Sequence, residues 1–148
     1  MEYQIVWSDW GMLPLAAQQI RTKVFIQEQG FVEEFDEYDE QSWHALLYLE
    51  EMPVGTARLF WDNAPETMRL GRLAFLPEAR MGGWGRRLLQ CCCEKAARKG
   101  AQRVVLDAQV RVQGFYAACG FCSVGQPFDE EGCPHILMEY RLREEGSC

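Results

Sequence analysis

The chain has 148 residues, 48% apolar and 25% charged, the make-up of an ordinary soluble fold with room for one hydrophobic core. Its formal net charge of −7 argues against nucleic acid and against anionic membranes as partners, because both polyanions repel it. No apolar run approaches a membrane span and the opening MEYQIVWSDW lacks the pattern of a signal peptide, so a cytoplasmic address is expected.

No internal repeat or linker interrupts the chain, and a single domain over residues 1–148 is expected. Residues 3–7 read as a strand. Residues 12–28 carry a helical pattern, with Leu15, Ile20, Val24 and Phe25 on one side and Pro14 setting the start. Residues 28–40 hold seven acids and no base, which predicts a loop or irregular helix with an acidic surface. Residues 45–51 and 54–61 read as a hairpin around Met52-Pro53, and 68–76 as a third strand of that group. A helix over 83–99 follows, with Trp84, Leu88, Cys92 and Ala96 at every fourth position. Gly100 stops it, and Lys95, Arg98 and Lys99 suit its negative end. Residues 103–110 form another strand, then a short helix runs through Phe115, Tyr116 and Ala118 to Gly120. FCSVG and HILMEYRL close the chain as strands. The order β-α-β-β-β-α-β-α-β-β predicts an α/β (α+β) fold, a mixed central sheet with helices on both faces.

Seven cysteines without a secretion signal suggest free thiols. Cys119, Cys122, Cys133 and His135 have some of the look of a zinc site. The Cys-x-His spacing is poor for it, because neighbouring strand residues point to opposite faces, and no metal is expected.

The most informative stretch is EARMGGWGRRLLQ, residues 78–90. A helix start presents unpaired N–H groups and the positive end of the backbone dipole. Arg80, Arg86 and Arg87 at this end are misplaced unless an anion joins them. Gly82, Gly83 and Gly85 allow a phosphate to approach the backbone. The turn is no P-loop, having no Gly-Lys-Ser/Thr. It is no dinucleotide fingerprint either, since Leu88 stands where the third glycine belongs.

Arg80-x-x-Gly83-x-Gly85, after a strand and opening a helix, resembles the acetyl-CoA diphosphate turn of the GCN5-related N-acetyltransferases (GNAT). LDAQV with Gln109, then Phe115-Tyr116-x-x-x-Gly120-Phe121, resembles that family's C-terminal half. RTKVFIQEQ, His44 and EEGCPH resemble its small bacterial ElaA-like subgroup. The resemblance implies a GNAT acyl-CoA N-acyltransferase fold and an enzyme moving acetyl from acetyl-CoA to a primary amine by direct attack in a ternary complex. The backbone of Leu73, Ala74 and Phe75 would pair with the pantetheine arm. The N–H groups of Met81, Gly82, Gly83, Trp84, Gly85 and Arg86 would take the diphosphate, with Arg80, Arg86 or Arg87 offsetting its charge.

Tyr116, beside the cofactor sulfur, would protonate the departing thiolate, and an N–H near Phe75 would hold the carbonyl oxygen. Gln109 stands where many members have asparagine. For the base the candidates are Glu28, His44, Asp39 and His135, or a water chain. The acids of 28–40 read either as a solvated face or as a collar attracting cationic amines. The acceptor is a small-molecule or peptide amine that the sequence does not distinguish, and a homodimer is an open option. The competing readings are a catalytically silent acyl-CoA-binding module and a zinc-dependent interaction domain.

Overall fold

The computed structural model describes residues 2–32 and 34–142. The elements are β1 (Tyr3–Trp7), α1 (Leu15–Arg21), β2 (Trp43–Leu49), β3 (Met52–Trp61), β4 (Thr67–Phe75), α2 (Trp84–Arg98), β5 (Arg103–Gln109), α3 (Gln113–Ala118), β6 (Cys122–Glu130) and β7 (Cys133–Arg141). Short 3-10 turns lie at Glu37–Gln41, Pro77–Ala79 and Val110–Val112. The strands form a mixed seven-stranded sheet in the order β1-β2-β3-β4-β5-β7-β6, and the fold is α+β. The chain divides into two compact units, Met1–Phe60 with Leu70–Cys92, and Trp61–Arg69 with Cys93–Cys148.

In the first unit β1 runs antiparallel to β2, and β2 to β3. The hairpin turns at Glu50 and Glu51, whose φ angles are 49° and 76°, and not at Met52-Pro53 as the sequence suggests. Pro53 instead lies in β3 opposite Tyr48, where the register slips between Leu47 and Tyr48. A bulge tolerates a residue without an N–H to give. Pro14 is extended and directly precedes α1, which starts at Leu15 rather than at residue 12. Ala17, Ile20 and Val24 form the inward stripe and cluster with Leu46 and Ala74. Leu15, expected on that stripe, is 66% exposed because it sits in the first turn, off the line that Ala17 begins. From Thr22 to Glu28 the helix widens to π geometry, and Gln29 N–H reaches the Val24 carbonyl five residues back at 3.0 Å.

In the second unit residues 67–69 of β4 pair in parallel with residues 103–105 of β5. The antiparallel β5/β7 ladder is continuous from Arg103 opposite Arg141 to Gln109 opposite His135. Val104, Leu106 and Ala108 on β5 and Ile136 and Met138 on β7 are buried. β6 pairs with β7 and is exposed along almost its whole length. Cys91, Cys92, Cys93, Cys119 and Cys133 are free thiols, as expected. Cys122 is disulfide-bonded, which corrects the expectation for that residue. It opens β6, where its side chain is part-covered. Among the described residues no helix is long and apolar enough to cross a membrane.

Candidate active site

β4 delivers the chain through the Pro77–Ala79 turn to Arg80, and α2 opens at Trp84. Between them Gly82 and Gly83 have φ of 99° and 80°, a conformation that side-chain-bearing residues rarely adopt. A Cβ at Gly83 would meet nothing within 4 Å, so the backbone angle and not crowding calls for glycine there. The first backbone bond entering α2 runs from Arg87 N–H to the Gly83 carbonyl at 3.2 Å. The amides before it lie at the positive end of the helix dipole, where anions are favoured.

The arginines of this turn have partners that the sequence does not reveal. Arg80 grips Glu28 with both terminal nitrogens, at 2.7 and 2.6 Å, and its Nε donates to the Phe75 carbonyl at 2.9 Å. The Glu28 bond holds the Arg80 pKa above the ordinary arginine value. The Arg87 guanidinium lies over the Tyr3 and Trp84 rings, 4.9 and 5.6 Å from their centroids, and donates to the Tyr3 hydroxyl at 3.2 Å. Arg86 is exposed.

Leu73, Ala74 and Phe75 form the end of β4. Ala74 is buried in the apolar cluster under α1. The Phe75 ring fills the space above Gly55, where an added Cβ would lie 2.4 Å from a ring carbon. Close approach of the ring is therefore the reason for a glycine inside β3.

His44 is 1% exposed, and its Nε2 is 2.9 Å from the Asp39 carbonyl oxygen. A carbonyl only accepts, so Nε2 carries the proton. Burial lowers the His44 pKa, and the Asp39 carbonyl offsets this only in part. The ring is neutral at pH 7 and shut off from solvent. Asp39, another candidate base, accepts from Arg21 at 2.8 and 3.2 Å and from Arg58 at 3.0 Å. Burial pushes its pKa up, but the two guanidiniums outweigh that and hold it below the ordinary value.

Asp36 accepts from Arg58 at 2.7 and 3.1 Å and from Arg72 at 3.2 Å. It caps the Glu37–Gln41 turn by accepting from Tyr38 N–H at 3.0 Å, and Asp36 N–H in turn donates to Asp39 Oδ2 at 3.3 Å. Glu34 pairs with Arg21 and with Arg72. Its burial outweighs the arginines and raises its pKa. The expected acidic surface is therefore corrected at Glu34 and Asp39, which are buried against arginines, while Asp36 is exposed and pairs with Arg58 and Arg72 from the surface. Sequence reading missed Arg21, Arg58 and Arg72. The available signal was a charge on the Ala17/Val24 helix stripe, one inside the apolar strand pattern VGTARLFW and two inside MRLGRLAF, of which Arg72 is the second.

Glu28, His44, residues 73–75 and the glycine turn belong to the first unit, and Gln109 and Tyr116 to the second. Gln109 ends β5 opposite His135. The Tyr116 ring is 5.0 Å from that of Phe115 and 6.1 Å from that of Phe121. The Tyr116 carbonyl accepts from Cys119 and Phe121 N–H, each at 3.0 Å, which closes α3. His135 is buried, with Nδ1 2.8 Å from the Cys133 carbonyl and Nε2 3.5 Å from Glu130. Burial pushes the Cys93 thiol up to about 12, which leaves it un-ionised near neutrality. Among the described residues no group of three or more His, Cys, Asp or Glu is placed to hold a metal ion.

A profile of the acetyltransferase (GNAT) domain family matches residues 14–142. The chain is 39% identical over 127 residues to the Bacillus subtilis protein YyaT, covering 82% of this chain and 84% of YyaT. The crystal structure of an acyl-CoA N-acyltransferase from Pseudomonas aeruginosa superposes with a TM-score of 0.82 at 25% identity, over 93% of this chain and 99% of that one. Escherichia coli ElaA superposes with a TM-score of 0.80 at 28% identity, over 92% of this chain and 99% of ElaA.

Proposed function

From the fact that the chain belongs to the GNAT acetyltransferase family, we propose that it transfers the acetyl group of acetyl-CoA to a primary amine within a ternary complex. The observation that carries this reading is the turn from Arg80 to Gly85, with Gly82 and Gly83 in left-handed conformation at the start of α2. The chain's similarity to a Pseudomonas acyl-CoA N-acyltransferase supports an acyl-CoA as the donor. In this reading the amides of Met81, Gly82, Gly83, Trp84, Gly85 and Arg86 receive the diphosphate and Arg80 adds charge. The backbone of Leu73, Ala74 and Phe75 pairs with pantetheine, Gln109 adds a cofactor contact, and residues 1–148 act as one functional domain.

The neutral amine attacks the thioester carbonyl, a C–N bond forms, and the C–S bond breaks. The Phe75 N–H steadies the carbonyl oxygen, and Tyr116 gives its phenolic proton to the departing thiolate. The amine's proton goes to Glu28, at the end of the π-helical turn, whose carboxylate must release one of its two Arg80 bonds to take it. His44 is the second choice, since burial and the Asp39 carbonyl already occupy its ring. The acceptor is a small-molecule or peptide amine, and the setting is cytoplasmic.

Calorimetry with coenzyme A, then thiol release from acetyl-CoA over a broad amine panel, tests the proposal. Binding with release is expected. Absence of binding overturns it, and binding without release marks a silent acyl-CoA-binding module. Tyr116→Phe is expected to lower turnover about a hundredfold, a usual size for a lost general acid, with coenzyme A affinity almost intact. Unchanged turnover removes the acid role.

A further inference from the structure

Within β4, Arg72 has a φ of 52°, a left-handed angle that is costly for a bulky side chain. The next three residues are Leu73, Ala74 and Phe75. The Arg72 side chain turns back to one short stretch of chain. Its Nε donates to the Glu34 carbonyl at 3.0 Å and lies 3.1 Å from Glu34 Oε1, and its Nη2 reaches Asp36 Oδ2 at 3.2 Å. Both acids are themselves anchored, Glu34 by the buried Arg21 and Asp36 by the buried Arg58. At the far end of the same three residues, Arg80 donates to the Phe75 carbonyl while seated on Glu28. The segment 73–75 is thus bracketed by two arginines, and each is fastened to carboxylates that precede β2 in the chain.

We propose that Arg72 is a positioning residue for the cofactor. Its clamp to Glu34 and Asp36 holds β4 in the left-handed bend, and the bend aims the backbone of Leu73, Ala74 and Phe75 at the pantetheine arm. This rests on the acyltransferase reading above and adds a determinant of acyl-CoA affinity that touches no cofactor atom itself. The clamp also gives a reason for a strained residue in the middle of a strand, since two charge-assisted hydrogen bonds and the Glu34 ion pair offset a conformation the strand would otherwise shed.

The test is calorimetric titration of coenzyme A into the wild-type chain and into Arg72→Ala, Arg72→Gly and Asp36→Asn, well below each variant's unfolding temperature. Arg72→Ala loses the clamp and resists the left-handed angle, and is expected to weaken binding about tenfold or more. Arg72→Gly also loses the clamp but adopts that angle freely, and is expected to recover affinity to within about threefold of wild type. An arginine with only a structural role would leave coenzyme A affinity unmoved in both. Arg72→Ala binding like wild type, or Arg72→Gly binding no better than Arg72→Ala, overturns the proposal. Should Arg72→Ala not fold, Asp36→Asn carries the test. It is expected to weaken binding in the wild-type background and to do nothing further in the Arg72→Gly background, and equal losses in both overturn the clamp. A wild-type chain that binds no coenzyme A removes the acyltransferase reading, whereas wild-type binding with indifferent variants removes only the role of Arg72.

Discussion

Arg21 and Asp39 lie inside the first unit, 1% and 5% exposed, whereas the ion pairs of the second unit stand nearer its surface: Arg69 with Asp62 and Asp107, and Arg141 with Glu139. The interior of the second unit is apolar instead, built from Val104, Leu106, Ala108, Ile136 and Met138 on two strands in continuous register. A strand ladder aligns itself through its backbone, so apolar side chains need only fill space. The stretch around Glu34, Asp36 and Asp39 has no long ladder, and charge-assisted bonds supply direction there. Buried ion pairs add little net stability because desolvation consumes most of their attraction, but removing one partner leaves an uncompensated charge inside. The Glu34–Asp39 stretch of the first unit is organised by orientation, the interior of the second unit by volume.

The contrast is broken most severely by Arg21→Met, which strands Glu34 and Asp39 with fewer cations. A loss of about 3–5 kcal/mol in urea unfolding is expected. A loss below about 1 kcal/mol would mean the remaining arginines are interchangeable and the geometry unimportant. Leu106→Ala, the matching change in the apolar unit, is expected to cost about 2–4 kcal/mol through lost contacts and cavity formation, with the pH profile of stability unchanged. An altered profile would show that the two interiors are not separate in kind.

Acid titration sharpens the comparison further. The pKa values of Asp36 and Asp39 lie below the ordinary aspartate value of 3.8, so the stability they contribute is present above 3.8 and lost as pH falls further. Glu34 has the opposite sign. Its pKa is raised above 4.5, so the folded chain takes up that proton before the unfolded chain does. The Glu34 contribution should therefore grow as pH falls from neutrality toward 4.5, His44, its pKa lowered by burial, should act against it below 6.5, and the aspartate contribution should be lost below 3.8. Compared with wild type across pH by urea midpoints, Glu34→Gln is expected to remove the gain toward 4.5 and keep the loss below 3.8. A difference between the two chains that is the same at neutrality and at pH 4.5 would refute the assignment. The smallest effect belongs to Arg141→Gln, where an exposed pair should contribute under about 1 kcal/mol and nothing measurable at high salt.

Local chemistry made part of this molecule legible in advance. Gly82, Gly83 and Gly85 beside a helix start, the fourfold spacing of Leu88, Cys92 and Ala96, and the Gly100 stop each depend on neighbours a few residues away, and each stands in the structure. The charged interior depends on partners 13 to 38 residues apart, Glu34 with Arg21 and with Arg72, and spacing along the chain carries no trace of them. Glu50-Glu51 was hidden for another reason. Glutamate seldom takes a left-handed angle, and Met52-Pro53 offered the stronger turn signal. For the candidate site, the glycine turn and Tyr116 could be named from motifs, while the strained angle at Arg72 has no signature in residue type.

The widened coil over Thr22–Glu28 sets the phase at which Glu28 leaves the helix to meet Arg80. Deleting one residue there would let ordinary α pitch return and swing that carboxylate about 100° around the axis, a third of a revolution or slightly less. Length in this segment is consequently under tighter constraint than composition. Homologous chains should exchange side chains freely at the exposed Lys23 and Gln27 and keep Val24 apolar, yet seldom gain or shed a single position.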